Sequence, residues 1–234
     1  MVRGLLHIDR KKKAMKRLLI LLLAAAAAGP LAAQGIGAAD SAVFDRLLAQ
    51  NRHYRTAQGT VLLDMTKRGR TRHKEGTFYF ERVAAPKAGD IVARMAMRYH
   101  TPKGEYYVIT PTNLYNGLDG RRRNIGFRYV APMKLLGSTI AWAAVGDIYS
   151  LCDRLKPRCR LTEDRRHYTV TLTCPPKNNR GINRMVIKYR KSDGLIAYLE
   201  VEDRLGTLHQ YTLGSDTAPT LLNKPVDPAV FVVD

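Results

Sequence analysis

Apolar and polar residues alternate with a period of two over most of the chain beyond residue 59. Such alternation is typical of strands that have one buried and one solvated face. The segment TVLLDMTKRGRTRHKEGTFYFER, residues 60–82, predicts two strands joined by a turn near Lys67–Arg70. Further strands are predicted over Ile91–Tyr99, Glu105–Thr110, Asn113–Asn116 and Arg121–Phe127.

The alternation returns in the last third of the chain. Residues 159–175 predict a hairpin, residues 182–215 predict a three-stranded meander, and Phe231–Asp234 predict a last strand. In the meander, one face should carry Leu195, Ala197, Leu199 and Val201, and the other Ile196, Tyr198, Glu200 and Glu202. The first face is apolar and the second is mostly polar.

Two stretches have helical periodicity instead. Residues 39–50, ADSAVFDRLLAQ, predict an amphipathic helix that is capped by Asp40 or Ser41. Residues 131–156 predict two or three short helices, one of which contains the only tryptophan, Trp142. About ten antiparallel strands with one apolar face should curl, and the helices should cover that face. The pattern therefore predicts an α+β fold with a curled antiparallel sheet.

The N-terminus has the pattern of a secretory signal. From Met15, which we take as a possible true start, the pair Lys16–Arg17 is followed by an apolar stretch, a Gly-Pro pair and small residues. We expect residues 1–33 to be the signal peptide and residues 34–234 to be a single domain, soluble and exported. The alternative is a membrane anchor, but the apolar stretch has about half of the ~20 residues that a spanning helix needs.

The chain is strongly basic, with a formal net charge of +19. Residues 1–33 hold seven of the 39 Lys/Arg and one of the 20 Asp/Glu, so 32 basic and 19 acidic residues remain, a net charge of +13. The basic residues alternate along strands or lie in turns, which argues against nucleic-acid binding. They indicate a solvated outer face, with attraction to anionic membranes or an acidic partner as the alternative.

Three cysteines, Cys152, Cys159 and Cys174, follow the signal peptide. Because none precedes Cys152, we expect no lipid anchor at the mature N-terminus. In an oxidising compartment, one disulfide and one free thiol are expected, and both Cys152–Cys174 and Cys159–Cys174 are possible pairs. A zinc site is not expected because there is no CxxC and no histidine at ligand spacing.

The chain lacks the short motifs of common enzymes. It has no GxSxG, no HExxH, no phosphate-binding loop and no GxGxxG after a strand. The acidic pairs Glu163-Asp164 and Glu202-Asp203 fall in or beside predicted hairpin turns, where turn chemistry explains them. We therefore expect no catalytic residues, no metal and no cofactor.

The order of these segments resembles the periplasmic outer-membrane lipoprotein carrier family, LolA. The likeness rests on short motifs over most of residues 39–234: QGTVLLDMTKRG, EGTFYFER and GEYYVITPTNLYNG, then the apolar helical segment, INRMVIKYRKSDGLIAYLEVEDRLGTLHQYTLG and LLNKPVDPAVFVV. The resemblance implies an unclosed antiparallel β-barrel, a half-barrel sheet whose apolar concave face is covered by short helices and holds lipoprotein acyl chains.

The resemblance also implies partners and a lid. The carrier would act as a monomer between an inner-membrane lipoprotein-release complex and an outer-membrane acceptor, with acylated lipoproteins or lipid as cargo. Arg82, at the end of FYFER, would hydrogen-bond the lid helices and hold them shut. The family has a proline directly after this arginine, whereas here Val83 follows and the first proline is Pro86.

We expect apolar side chains on alternate strand positions, together with lid residues, to line the acyl cavity. They are Val61, Leu63, Met65, Phe78, Phe80, Met95, Met97, Tyr107, Ile109, Leu136, Ile140, Trp142 and Leu199. A one-residue slip in register would reverse the face of any strand.

Three other interpretations fit the same pattern. The apolar residues could fill a dry core without binding a ligand. The fold could belong to a periplasmic sensor or interaction protein that detects lipid or mislocalised lipoprotein; an added domain would favour this, and 201 mature residues leave no room for one. An envelope hydrolase would need a cluster of perturbed carboxylates or histidines in a cleft.

Overall fold

The alternating stretches form the strands of one sheet. The computed structural model describes residues 37–84, 92–111, 114–118, 143–176, 181–214 and 219–233. Its strands are β1 (Thr56–Lys67), β2 (Arg70–Arg82), β3 (Ala93–Thr101), β4 (Lys103–Ile109), β5 (Leu114–Leu118), β6 (Arg158–Glu163), β7 (His167–Thr173), β8 (Ile182–Arg190), β9 (Ile196–Asp203), β10 (Leu208–Leu213) and β11 (Leu221–Leu222). The predicted signal peptide, the predicted strand Arg121–Phe127 and residues 131–142 lie outside the described residues.

The sheet is antiparallel and open. Its strands follow the order β5-β4-β3-β2-β1-β10-β9-β8-β7-β6, and β11 pairs with β1 off this path. Strands β5 and β6 are the edges of the described sheet and do not pair with each other. The predicted α+β fold with an unclosed antiparallel sheet is therefore confirmed.

The sheet is curled. Tyr107 on β4 and Tyr211 on β10 are separated by four strand spacings, about 19 Å in a flat sheet. The phenol of Tyr211 nevertheless helps to raise the pKa of Tyr107. Met95 on β3 and Ile196 on β9, which are also four strand spacings apart, line one small cavity. Side chains from distant strands therefore approach each other across a concave interior.

A glycine permits one of the bends. The pairing of β2 with β3 shifts at Glu75/Gly76. A Cβ on Gly76 would lie 2.2 Å from the carbonyl oxygen of Arg98, so no larger residue fits without a backbone shift.

Two α-helices lie against the sheet in the described residues. Helix α1 (Ala38–Arg52) begins after Gly37, which has no side chain to cap it, so the predicted caps at Asp40 and Ser41 are not used. Helix α2 (Ile148–Leu155) is capped by Asp147, whose carboxylate accepts a hydrogen bond from the backbone N–H of Ser150 at 2.9 Å. Both helices bury an apolar face, as amphipathic helices do.

The helices pack on each other and on the β7–β9 half of the concave face. The rings of Phe44 and Tyr149 meet edge to face with centroids 6.1 Å apart. Arg46 donates from Nη1 to the hydroxyl of Tyr168, and the hydroxyl of Tyr189 donates to the carbonyl oxygen of Ala143 at 2.9 Å. No helix in the described part of the chain is long and apolar enough to cross a membrane.

The C-terminal segment covers the opposite face of β3 and β4. Arg98 donates to the carbonyl oxygens of Val230 and Val232 at 2.8 and 2.6 Å. The predicted last strand over Phe231–Asp234 is wrong. Asp227 caps a 3-10 helix over Pro228–Phe231, because its carboxylate accepts from the N–H of Ala229 and Pro228 favours a first helical turn.

Two further predictions need correction. Ile196 lies on the buried face because the pairing of β8 with β9 shifts at Lys188/Tyr189 and places Ile196 opposite Tyr189. The predicted disulfide is absent: Cys152, Cys159 and Cys174 are all free thiols.

Candidate functional site

The concave face gathers the predicted lining residues that the structure describes. Residues that pair directly across neighbouring strands point to the same face of the sheet. Three such rows are Phe80–Met95–Ile109, Phe78–Met97–Tyr107 and Leu63–Tyr211–Leu199. All ten described members of the predicted set therefore share this face: Val61, Leu63, Met65, Phe78, Phe80, Met95, Met97, Tyr107, Ile109 and Leu199. Leu136, Ile140 and Trp142 lie outside the described residues. Whether this set binds a ligand stays a prediction.

This face is closed over rather than open to water. Eight of the ten side chains are buried, and only Met65 and Tyr107 are partly exposed. The apolar surface continues through β9, β8 and β7, where Ile187, Met185, Val170 and Leu172 are fully buried. A single apolar layer thus extends over eight strands, from β4 to β7 in the sheet order.

A cavity lies within this layer, at the end of the sheet that faces the C-terminus of α1. Its volume is about 30 Å³, roughly that of one water molecule. The described residues that line it are Ala57, Phe78, Phe80, Met95, Ala144, Leu195, Ile196, Leu213 and Thr220. Thr220 is the only polar residue in this set, so the site favours apolar groups.

Sequence reasoning found three of these lining residues and missed six. Phe78, Phe80 and Met95 were predicted. Ala57 and Leu213 follow the same alternation on β1 and β10, and that signal could have identified them. Ala144 and Leu195 lie outside strands and reach the cavity through tertiary packing, which no local pattern reveals.

Arg82 fastens the C-terminus of α1 next to this cavity. It donates from Nη2 to the carbonyl oxygen of Asn51 at 2.7 Å and from Nε to that of Tyr54 at 3.3 Å. The last carbonyls of a helix lack partners within the helix and carry partial negative charge, so a guanidinium suits them. Burial, followed by the nearby charge of Arg52, lowers the pKa of Arg82.

The same helix end is also fixed to the turn between β8 and β9. Asn51, which is buried, donates from Nδ2 to the carbonyl oxygens of Gly194 and Leu47 at 2.8 and 2.9 Å. The hydroxyl of Tyr54 donates to the carbonyl oxygen of Asp193 at 2.6 Å. The end of α1 therefore bridges β2 and the β8–β9 turn, above the apolar cavity.

The described residues give no support for a metal centre. Among them, no group of three or more histidine, cysteine, aspartate or glutamate side chains is placed to hold a metal ion. The three thiols are neighbours, with Cys152 hydrogen-bonded to Cys159. This bond raises the pKa of Cys152 and lowers that of Cys159.

No protein-family model and no curated protein matches the sequence. Solved structures to which the chain is similar include a DUF1329 family protein from Desulfovibrio piger, with a TM-score of 0.45 and 13% identity over 82% of this chain and 96% of that one. A chain of the Pseudomonas aeruginosa MucA/MucB complex has a TM-score of 0.45 and 13% identity, over 83% of this chain and 61% of that one. A LolA superfamily protein from Nitrosomonas europaea has a TM-score of 0.35 and 9% identity, over 81% of this chain and 97% of that one.

Proposed function

We propose that the protein binds acyl chains on its concave face and carries acylated lipoproteins or lipids from the inner to the outer membrane, without catalysing a reaction. The observation that carries this proposal is the apolar layer across eight strands, with its cavity beneath the helix end fixed by Arg82. A ligand that contacts such a surface has to be mostly hydrocarbon.

The cavity has to enlarge before it admits an acyl chain. Binding pockets generally enclose about 300–1,000 Å³, and this cavity has about 30 Å³. Burial of a chain of about fifteen methylenes contributes roughly 12 kcal/mol, at ~0.8 kcal/mol for each methylene. The two hydrogen bonds from Arg82 contribute about 1.5–3 kcal/mol each, and those from Asn51 and Tyr54 to the β8–β9 turn about 0.5–1.5 kcal/mol each. Together they amount to roughly 4–9 kcal/mol, so acyl burial exceeds the cost of breaking these bonds.

The same release weakens the hold on the cargo, which suits a carrier. The free energy spent on opening is subtracted from the free energy of binding. A bound chain is therefore held less tightly than in a preformed cavity, and closure of the helix end favours its departure to an acceptor.

The partners follow from this cargo. An inner-membrane release complex would load the protein, and an outer-membrane acceptor would unload it. The turn between β1 and β2 is exposed and basic, with Lys67, Arg68, Arg70 and Arg72. Such a cluster is attracted to anionic membrane surfaces, where loading and unloading take place.

Native mass spectrometry of residues 34–234, purified from a periplasm without detergent, tests the binding step. A triacylated lipopeptide should add its mass, and the same peptide without acyl chains should not. A bare protein mass after incubation with the lipopeptide would contradict the proposal and support a dry core.

A matched pair of variants ties binding to the cavity. Ala144→Leu should fill part of the cavity and weaken lipopeptide binding at least about tenfold. Ala49→Leu makes the same change on the exposed face of α1 and should bind as the wild type does. Equal binding by the two variants would place the ligand elsewhere. Binding without delivery to outer-membrane vesicles would favour the sensing role over the carrier role.

A further inference from the structure

The concave face changes from apolar to polar along its strands, and four strands change in the same direction. The apolar end of this face carries Phe80 on β2, Met95 on β3, Ile109 on β4 and Leu213 on β10. The polar end carries, on the same strands, Lys74, Tyr99, Glu105 and His209. Four residues of a strand span about 13 Å. The cavity lies at the apolar end, so the polar side chains are collected at the other end of the same surface.

The hydroxyl of Tyr107 lacks a partner at this polar end. It is buried and makes no hydrogen bond to any described residue, although the residue as a whole is partly exposed. A buried donor without a partner costs about 1–3 kcal/mol, and such groups are rare in folded proteins. A buried, unused donor beside an apolar surface suits a ligand that brings an acceptor.

Two other tyrosines point into the same region. Tyr99 and Tyr211 are buried on the same face. Burial first, and then the neighbouring phenols, raise the pKa of Tyr99 and of Tyr107. Among the described residues, the hydroxyl of Tyr99 donates to one weak acceptor, the sulfur of Met97 at 3.4 Å.

Lys74 and His209, the basic residues of this face that follow Gly76 on β2 and Tyr211 on β10, are already paired. Lys74 forms an ion pair with Glu105, and its ammonium lies 5.3 Å from the ring centre of Tyr99. His209 lies 3.4 Å from the carboxylate of Asp203. A phosphate binds most strongly to cations that have no other partner. Because the donors here are neutral hydroxyls and these two basic residues are already paired, the region suits a neutral acceptor such as an ester carbonyl better than a phosphate.

We propose that this end of the concave face binds the ester linkages of a diacylglyceryl group, with the Tyr107 hydroxyl donating a hydrogen bond to an ester carbonyl oxygen while the acyl chains extend toward the cavity. This inference rests on the proposed function, because it gives the bound acyl chains an orientation. Both a lipoprotein and a diacyl phospholipid carry this ester group.

The test pairs one variant with two lipids. Tyr107→Phe should weaken binding of 1,2-dipalmitoylglycerol about five- to tenfold, the effect of one hydrogen bond. It should change binding of the di-O-hexadecyl ether, which has the same chain length and no carbonyl, by less than about twofold. Tyr106→Phe is the matched control, since Tyr106 is the neighbouring tyrosine on the opposite face.

A second readout separates this role from a structural one. The ligand-free Tyr107→Phe protein should be as stable as the wild type or more stable, because the variant removes an unpaired buried hydroxyl. Equal losses with ester and ether would assign the effect to ring packing and overturn the inference while the proposed function stands. Failure of the wild type to bind either lipid would overturn both.

Two further ligands identify the source of the ester. The loss of binding caused by Tyr107→Phe is measured for a diacylglyceryl lipopeptide and for a phosphatidylglycerol of the same chain length. A loss with both supports recognition of the shared ester. A loss with the lipopeptide alone supports lipoprotein as the cargo, and the absence of a loss with either overturns the inference.

Discussion

Arg82 at the end of β2 donates a hydrogen bond from Nη2 to the carbonyl oxygen of Asn51, 2.7 Å away in the last turn of α1. The contact joins a strand that lines the cavity to a helix that lies over it. It is the position to which the sequence resemblance assigns a lid-holding arginine, although Val83 rather than proline follows it. The role of this contact in holding the lid shut is open to direct measurement.

Arg82→Leu should open the lid more readily. It removes two hydrogen bonds from a charged donor, one to Asn51 in α1 and one to Tyr54 just beyond it. The shorter bond alone contributes about 1.5–3 kcal/mol, so the free energy of unfolding in urea should fall by at least that amount. Uptake of a fluorescent fatty acid in stopped flow should become faster. Arg55→Leu is the control, because the Arg55 side chain is exposed and adjacent in sequence to this helix end. Unchanged uptake by Arg82→Leu would remove Arg82 from the opening step.

Gly76→Ala should destabilise the sheet. The added methyl would lie 2.2 Å from the carbonyl oxygen of Arg98 and 2.7 Å from the Cα of Tyr99, and backbone atoms cannot move aside cheaply. We expect the free energy of unfolding to fall by about 1–3 kcal/mol or more in urea denaturation. Gly37→Ala, where an added Cβ has no neighbour within 4 Å, should have little effect. Equal stabilities of the two variants would contradict the register shift at Gly76.

The strands and their faces were predictable because one side of the sheet is buried from β4 to β7 in the sheet order. Alternation on β1 and β2 placed Val61, Leu63, Phe78 and Phe80 together, and the register in the structure does the same. The buried face of a strand can be predicted from sequence when burial of one side forces apolar residues to recur every second position, whichever strand lies next to it.

The rest could not be predicted because it depends on contacts between distant segments. The shift that turns Ile196 inward arises from pairing with β8, and Ala144 reaches the cavity from outside the sheet. The 3-10 helix that replaces the predicted last strand could partly have been predicted, because Asp227-Pro228 is a helix-start signal that competes with the strand pattern. The unpaired hydroxyl of Tyr107 has no sequence signature.

His209 should make stability depend on pH near neutrality. Burial lowers its pKa below the usual 6.5, with Lys74 acting in the same direction and Asp203 opposing. The unfolded state therefore takes up a proton before the folded state does, and stability should fall as pH decreases from about 7 through 6.5 to the lowered pKa. Urea unfolding between pH 7.5 and 5 should show this loss.

Two variants test the assignment to His209. His209→Gln should remove most of the loss in that range, and His100→Gln, at an exposed position, should retain it. The same loss in His209→Gln as in the wild type would assign the pH dependence to other groups.

Oxidation should join Cys152 to Cys159 and leave Cys174 reduced. Cys152 is hydrogen-bonded to Cys159, which lowers the pKa of Cys159 and makes it the better thiolate, while burial raises the pKa of Cys174 to about 11. Diamide should take two electrons from the first pair, and peptide mapping should recover a 152–159 disulfide. Cys174→Ser should retain this product and Cys159→Ser should lose it. Recovery of a disulfide that contains Cys174 as the main product would contradict this prediction.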